Sequence, residues 1–455
     1  MIRWRAVAAG VVLGIAYTLS PLTVLCLAAL FALGRAIAKG LTPRERAWFT
    51  SLATLAIALR LAAIALLMLL ADPARPYATL FGDEELFKSR TIWLRNIGQG
   101  IAVSPADMIY VYDEVGRSSY LHVLAYVQAL VGDAPYGNNV LNASVYVAAV
   151  MISFWFIRRY FGSIAALAGA AFLWFVPSLF SWSIAVLKEP LYIFIAAIEL
   201  IAAVYIARAP KIWQRVAAVV VVGACAYALS TLRVGGMQLA LLGTLIGVPA
   251  GLLATRPRLA LVTVLAMPVV LTLLLIQPPV QARAMATLRE AAFQHWGHVL
   301  TVGYSYKLLD PRFYIDGSRV SAYTMTEREA GRFVIRAFWN FLTVPRSSQI
   351  ESRSALAYLP EQALWYLMLL LTPIGVAAGM RRDPVVTCVL LAHGLTAAGM
   401  VALTGGNIGT LIRHRGLTFP YFAWLASIGA CALVAWLTTR RPAAAVATYP
   451  SGEPA

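Results

Sequence analysis

WFTSLATLAIALRLAAIALLMLLA, residues 48–71, is 24 residues long and carries a single charge, Arg60. A helix needs about 20 consecutive apolar residues to cross the hydrocarbon core of a bilayer, so this stretch reads as a spanning helix. Nine more stretches of the same kind follow, at 138–157, 163–182, 190–207, 216–232, 237–254, 259–276, 362–380, 384–403 and 416–437. Ahead of them, an apolar region at 4–37 is broken by Ser20-Pro21. The sequence therefore predicts an all-α polytopic membrane protein. Composition agrees: of 455 residues, 60% are hydrophobic and 13% charged, with a mean hydropathy of +0.75. Soluble domains carry roughly 25% charged residues. An ordinary cytosolic enzyme and a disordered chain are both excluded.

The net charge of +17 comes from 37 Lys and Arg against 20 Asp and Glu. Much of it lies in alternate short connections: Arg35, Lys39, Arg44 and Arg46; Arg158-Arg159; Arg208, Lys211 and Arg215; Arg256 and Arg258; Arg381-Arg382; Arg440-Arg441. These are 15 basic residues, opposed there only by Glu45 and Asp383. Positive loops stay cytoplasmic, so this face is the cytoplasmic one and the charge is no sign of a nucleic-acid partner. Arg3 and Arg5 place the N-terminus on the same side, which splits the first apolar region into a hairpin and predicts about twelve spans; a single first helix would give eleven. The expected organisation is an N-terminal hairpin at 1–40, a transmembrane core at 41–441 and an Ala/Pro-rich, disordered cytoplasmic tail at 442–455. The apolar start runs well past the roughly 7–15 residues of a signal-peptide core, so it is not read as a removable signal. The Ala- and Arg-rich composition points to a bacterial plasma membrane. Cys26, Cys225, Cys388 and Cys431 all fall within expected helices and suggest neither a disulfide framework nor a Cys-based metal site.

Two long segments, 72–137 and 277–361, lie on the opposite, external face. Loops of this length usually carry function. Both contain helical patterns. In the first, Phe87, Leu94 and Ile97 among Lys88, Arg90 and Arg95 read as an amphipathic helix on the bilayer surface. In the second, Thr326-Glu327-Arg328-Glu329 has capping-box spacing, and Phe333, Ala337, Phe338 and Phe341 follow near one face.

Candidate chemistry clusters at these external ends. Phe81-Gly82-Asp83-Glu84-Glu85-Leu86-Phe87 sets three carboxylates where the chain leaves the bilayer, with Asp113-Glu114 a weaker copy further along. The triplet reads either as a solvated helix N-terminus, where acids are favoured, or as the source of a general base. Leu187-Lys188-Glu189-Pro190 forms a helix entrance in which Lys188 either snorkels or binds a lipid phosphate, with Glu189 supporting it. Arg233 sits in the short turn before Gly235-Gly236. In the last external loop Arg413-His414-Arg415 follows three glycines, and a planar guanidinium suits phosphate oxygens. The alternative for that cluster is attraction to anionic headgroups. Arg60, Glu199 and His393 are intramembrane charges with either functional or structural partners. His295 and His298 lie three apart without a companion carboxylate, which is too little for a metal site. No cofactor and no metal are predicted.

The order of these features resembles the integral-membrane GT-C glycosyltransferases, in particular the protein mannosyltransferase and aminoarabinose transferase group. The resemblance runs through Leu59-Arg60-Leu61, then Gly82-Asp83-Glu84 with its following aromatic, then Tyr120-Leu121-His122 and Leu130-Val131-Gly132. It continues through Asn138-Asn139-Val140-Leu141-Asn142, Arg158-Arg159-Tyr160-Phe161-Gly162, Pro177 and Leu187-Lys188-Glu189-Pro190, and closes with Gly409-Thr410, Arg413-His414-Arg415 and Pro420. It covers roughly 46–441, the N-terminal hairpin being an addition. The resemblance implies an enzyme that passes a sugar from a polyprenyl-phosphate or polyprenyl-diphosphate donor to a glycan, lipid or protein acceptor on the external face. It implies that Asp83 is the base, with Glu84 the nearest substitute, and that Lys188, Arg413 and Arg415, with Arg233 behind them, hold the lipid phosphate. The chain departs from the pattern in having three acids in the motif and no large soluble C-terminal domain.

Two other readings stand beside this one. An envelope polysaccharide polymerase or ligase would place its chemistry in 277–361, on Arg289 and His295. A lipid-linked sugar flippase or transporter would show internal repeats, and none is evident in the sequence.

Overall fold

In the computed structural model, residues 10, 11, 14, 20–70, 80–111, 119–132, 136–300, 304–315, 319–346 and 359–439 are described. Ser20-Pro21, expected to break the first apolar region, starts a helix. The Ser20 side chain accepts from the Thr23 N–H and Pro21 opens α1 (Pro21–Ala38). The other limb of the expected hairpin, 4–19, lies outside the described residues except at 10, 11 and 14. The opening stretch becomes α2 (Pro43–Leu69), started by a capping box in which Thr42 and Glu45 satisfy each other's backbone N–H groups. Three helices follow on the far side, α3 (Gly82–Gly98), α4 (Pro105–Val111) and α5 (Ser119–Val131), and the chain re-enters through α6 (Gly137–Phe161).

The stretch 163–182, expected as a span, is broken into two helices, α7 (Ser163–Phe175) and α8 (Pro177–Ile184), bent by 60°. Pro177 is the cause, since it has no N–H to continue the helix. The bend frees three backbone groups, and side chains take up each. The Leu173 carbonyl accepts from the Tyr146 hydroxyl at 2.5 Å. Arg60 donates to the Trp174 carbonyl at 2.8 Å and to Ser183 Oγ at 2.7 Å. The Ser178 N–H donates to Glu361 at 2.9 Å. Arg60, fully buried at mid-membrane, thus serves the broken helix, with Tyr146 and Phe180 against its guanidinium.

Next come α9 (Glu189–Arg208), α10 (Ile212–Leu232), α11 (Gly236–Ala254) and α12 (Pro257–Leu275). The long segment after them contains α13 (Pro278–Val299), α14 (Arg312–Ile315), a 3-10 turn (Arg319–Thr324) and α15 (Glu327–Thr343). Then come α16 (Leu359–Arg382), α17 (Pro384–Thr404), the short α18 (Ile408–Arg415) and α19 (Phe419–Thr439). Among the described residues, ten helices are long and apolar enough to cross a membrane, or eleven when the bent pair counts as one span. The protein is a multi-pass helical membrane protein.

At the basic end, Arg158 pairs with Glu45 at 2.6 Å and Arg208 with Asp383 at 2.9 Å, so both collar acids sit on arginines of neighbouring helices. Inside the bundle, Glu199 accepts from Thr244 at 2.6 Å and faces His393 at 2.9 Å, tying α9, α11 and α17 together. The helices of the two long connecting segments differ in part from expectation. Thr326 and Glu329 form the capping box of α15, and Phe333, Ala337 and Phe341 are buried, but Phe338 joins Ile335 and Trp339 on the exposed side. Helix α3 packs one side into the protein: Glu84, Phe87, Lys88 and Arg90 are buried, whereas Asp83 and Glu85 are exposed.

Candidate functional site

The mouth of the bundle at the end away from the basic collar gathers side chains from four distant stretches of sequence. Helix α3 starts at Gly82, so its first turn holds Asp83, Glu84 and Glu85. These acids have different surroundings. Glu84 is buried; it accepts the N–H groups of Leu80 at 2.9 Å, Phe81 at 3.2 Å and Val186 at 3.2 Å, with Lys88 4.0 Å away. It therefore clamps the start of α3 to the strand of chain that leads into Lys188. Asp83, one residue earlier, is 57% exposed and receives Arg413 Nη1 at 2.6 Å.

The 184–188 segment is held by asparagines of α6. Asn139 donates to the Ile184 carbonyl at 2.7 Å, and Asn142 donates to the Ala185 and Leu187 carbonyls at 2.7 Å each. Tyr120 in turn donates to Asn142 Oδ1 at 3.0 Å. This fixes Glu189 as the first residue of α9, 1% exposed, with Pro190 behind it. Its Oε1 lies 2.9 Å from Arg413 Nε and Nη2 and 3.6 Å from Arg233 Nη1. Arg233 comes from the turn between α10 and α11, which closes because Gly235 adopts a left-handed conformation with φ +86°.

Helix α18 carries Arg413 and His414. Asn407 caps it, accepting from the N–H groups of Gly409 at 2.9 Å and Thr410 at 3.4 Å. The segment before it pairs with the outer loop through Tyr306 N–H to Gly406 O at 3.0 Å and Ile408 N–H to Tyr304 O at 2.9 Å. A side chain at Gly406 would collide with the backbone of His295, 2.5 Å from the added carbon, which explains the glycine. His414 Nε2 accepts from Arg233, and its ring packs against that of His298, 5.9 Å between centroids.

The resulting order is Asp83, Arg413, Glu189, Arg233, His414. One exposed and one buried carboxylate share a single arginine. Burial works against the charge of Arg413, yet Glu189 and Asp83 outweigh it and hold its pKa above the ordinary guanidinium value. Burial lowers the pKa of Lys188, with Arg233 adding to the effect and Glu189 opposing it. His414 is pushed well below its ordinary value, first by burial and then by Arg233 and Arg413, so it is a neutral acceptor. Three cations, Lys188, Arg233 and Arg413, meet two carboxylates, Asp83 and Glu189, an excess of one positive charge suited to an anion.

Arg415 is not part of this group. It is 3% exposed, donates to Gln362 at 2.8 Å and to the Phe341 and Val344 carbonyls, and lies 4.8 Å from the Trp365 ring centroid. It braces α15 and α16. His295 is likewise occupied: it is fully buried, its Nδ1 donates to the Gly405 carbonyl, and Nε2 accepts from the Leu308 N–H at 3.2 Å and contacts the Tyr314 hydroxyl at 2.9 Å. Burial lowers its pKa to about 4. Arg289 donates to the Met325 carbonyl at 3.0 Å. Asp113 and Glu114 lie outside the described residues.

A cavity of about 430 Å³ opens beside Asp83 and Arg413, a size typical of small-ligand sites. Its polar lining includes Ser178, Ser181, Glu361, Asn407 and Thr410; Thr410 lay in the quoted Gly409-Thr410 motif, and the other four were not singled out from sequence. Glu361 carried a signal of its own, an acid at the mouth of a span next to Pro360. Among the described residues no group of three or more His, Cys, Asp or Glu side chains is placed to hold a metal ion. No protein-family model and no curated protein matches the chain.

Proposed function

We propose that this protein is a membrane glycosyltransferase. It moves a sugar from a polyprenyl-phosphate or polyprenyl-diphosphate donor to an acceptor at the external face, with the basic collar in the cytoplasm. The observation that carries the reading is the convergence of Asp83, Glu189, Arg233 and Arg413 beside a cavity, although they lie up to 330 positions apart in sequence. The resemblance in motif order to the GT-C group supports it, and the proposed setting is a bacterial plasma membrane.

The chemistry follows from the arrangement. An acceptor hydroxyl gives its proton to the Asp83 carboxylate as its oxygen attacks the anomeric carbon. The bond from that carbon to the donor phosphate oxygen breaks, and the electron pair leaves with the phosphate. Arg413, with Arg233 and Lys188 behind it, receives the negative charge that develops there. A donor phosphate competes with Asp83 for Arg413, so donor binding releases the base from its ion pair. Glu84, saturated by backbone N–H groups, is assigned to positioning Asp83, and Arg415 to bracing the cavity wall. The polymerase or ligase reading relied on His295, which here has both ring nitrogens engaged in the fold.

In proteoliposomes supplied with a lipid-linked sugar donor, Asp83→Asn is expected to reduce transfer by about 10²–10⁴-fold with donor binding retained. Arg413→Ala is expected to weaken donor binding. Full transfer by Asp83→Asn overturns the assignment of the base, and donor binding unchanged in Arg413→Ala overturns that of the phosphate site.

A further inference from the structure

At the opposite end of the bundle, α1, α2 and α6 enclose a second cavity, a groove of about 560 Å³. Its walls are apolar, including Leu27, Phe31 and Met151, and its basic-face end is rimmed by Arg35, Lys39 and Arg46. From Leu27 to Lys39 is 12 residues of sequence, or about 18 Å at 1.5 Å per residue if helical throughout. Half of a bilayer's hydrocarbon core is about 15 Å, so the groove spans the depth of one leaflet. Among the described residues no carboxylate pairs with Arg35, Lys39 or Arg46. Glu45 is the one carboxylate in the segment 35–46, and Arg158 holds it at 2.6 Å. Arg46 is fixed in place by donating to the Ala38 carbonyl at 3.1 Å and the Leu41 carbonyl at 3.3 Å.

We propose that this groove binds one anionic phospholipid of the adjacent leaflet, its acyl chain along α1 and α2 and its headgroup among Arg35, Lys39 and Arg46. The two halves of the groove match the two halves of such a molecule: an apolar trough one leaflet deep and a positive rim at headgroup level. A zwitterionic lipid brings its own cation to that rim and is disfavoured. This site is independent of the external one and of the transferase reading.

The test is native mass spectrometry of the full chain, purified in detergent and offered phosphatidylglycerol and phosphatidylcholine together. The wild type is expected to hold one phosphatidylglycerol. Arg35→Gln/Lys39→Gln, which changes two exposed side chains, is expected to weaken phosphatidylglycerol binding about thirtyfold relative to phosphatidylcholine. Gly34→Leu fills the groove from inside α1, because a side chain there meets only the Met151 methyl group, 3.9 Å from its first carbon. It is expected to bind no lipid while melting near the wild-type temperature. Equal retention of the two lipids by the wild type overturns the proposal. So does a lipid-free wild type, monomer or dimer, or an unchanged preference in the double variant.

Discussion

Glu189 shows how much one residue can decide. A carboxylate 1% exposed is tolerable only because Arg413 and Arg233 face it, and the two arginines approach each other only because it stands between them. Replacing one member of a buried ion cluster costs about 3–5 kcal/mol, since the remaining charges stay desolvated without a partner. Glu189→Gln should therefore lower stability by that order, read as a large drop in melting temperature. Asp83→Asn breaks an exposed pair, worth about 1 kcal/mol at most, and should melt like the wild type. Equal melting of both variants would show that Glu189 does not hold the cluster. From sequence, Lys188-Glu189-Pro190 was legible as a helix entrance and Glu189 as a supporting group. That its partners would be Arg233 and Arg413 was not, because pairings across hundreds of positions depend on helix order in the bundle. Asn139 and Asn142 lay in a motif the sequence reading quoted, but their role in holding 184–188 required the break at Pro177.

At the level of elements, spans were easy to find and their packing was not. Hydropathy locates a helix but says little about what it touches. Helix α16 meets α19 so closely that a carbon added at Gly375 would lie 1.7 Å from the Leu425 carbonyl oxygen, whereas one added at Gly223 on α10 meets nothing within 4 Å. Gly375→Ala should destabilise by about 1–3 kcal/mol or more through overpacking. Gly223→Ala should be neutral or stabilising by up to about 1 kcal/mol. Thermal unfolding of the two variants compares them directly, and the contact is disproved if both behave alike. Helix α13 brings a pH dependence. His295 is neutral in the fold with a pKa of about 4, against an ordinary 6.5. The unfolded chain takes up a proton over that interval and the native protein does not, so stability falls as pH drops from about 6.5 to about 4. The full effect is on the order of 3 kcal/mol, at 1.36 kcal/mol per pKa unit. His414, lowered in the same direction, adds to it. Scans of melting temperature against pH should show this slope flattened in His295→Asn, and an unchanged slope would refute the assignment.

For the whole molecule, the excess charge separates into two populations. The collar is spread over alternate connections, and its acids are already bridged to neighbouring helices. The cations away from the collar are no fewer, but three of them, Lys188, Arg233 and Arg413, gather around one buried acid, Glu189. The positive-inside asymmetry predicts a direction that labelling can check. A cysteine at exposed Arg328 should react with an impermeant maleimide added to intact spheroplasts, and one at exposed Lys211 should react only after lysis. The reverse pattern would invert the topology.

Helix α12 has no buried side chain at all. It touches the rest of the protein chiefly where the chain enters and leaves it, so the demand on its side chains is solubility in lipid. Leucine, valine and isoleucine are interchangeable there in a way they cannot be around Gly375. A library randomised over 259–275 with apolar residues would return mostly active proteins, and lineages descending from a common ancestor would lose their likeness along this helix first.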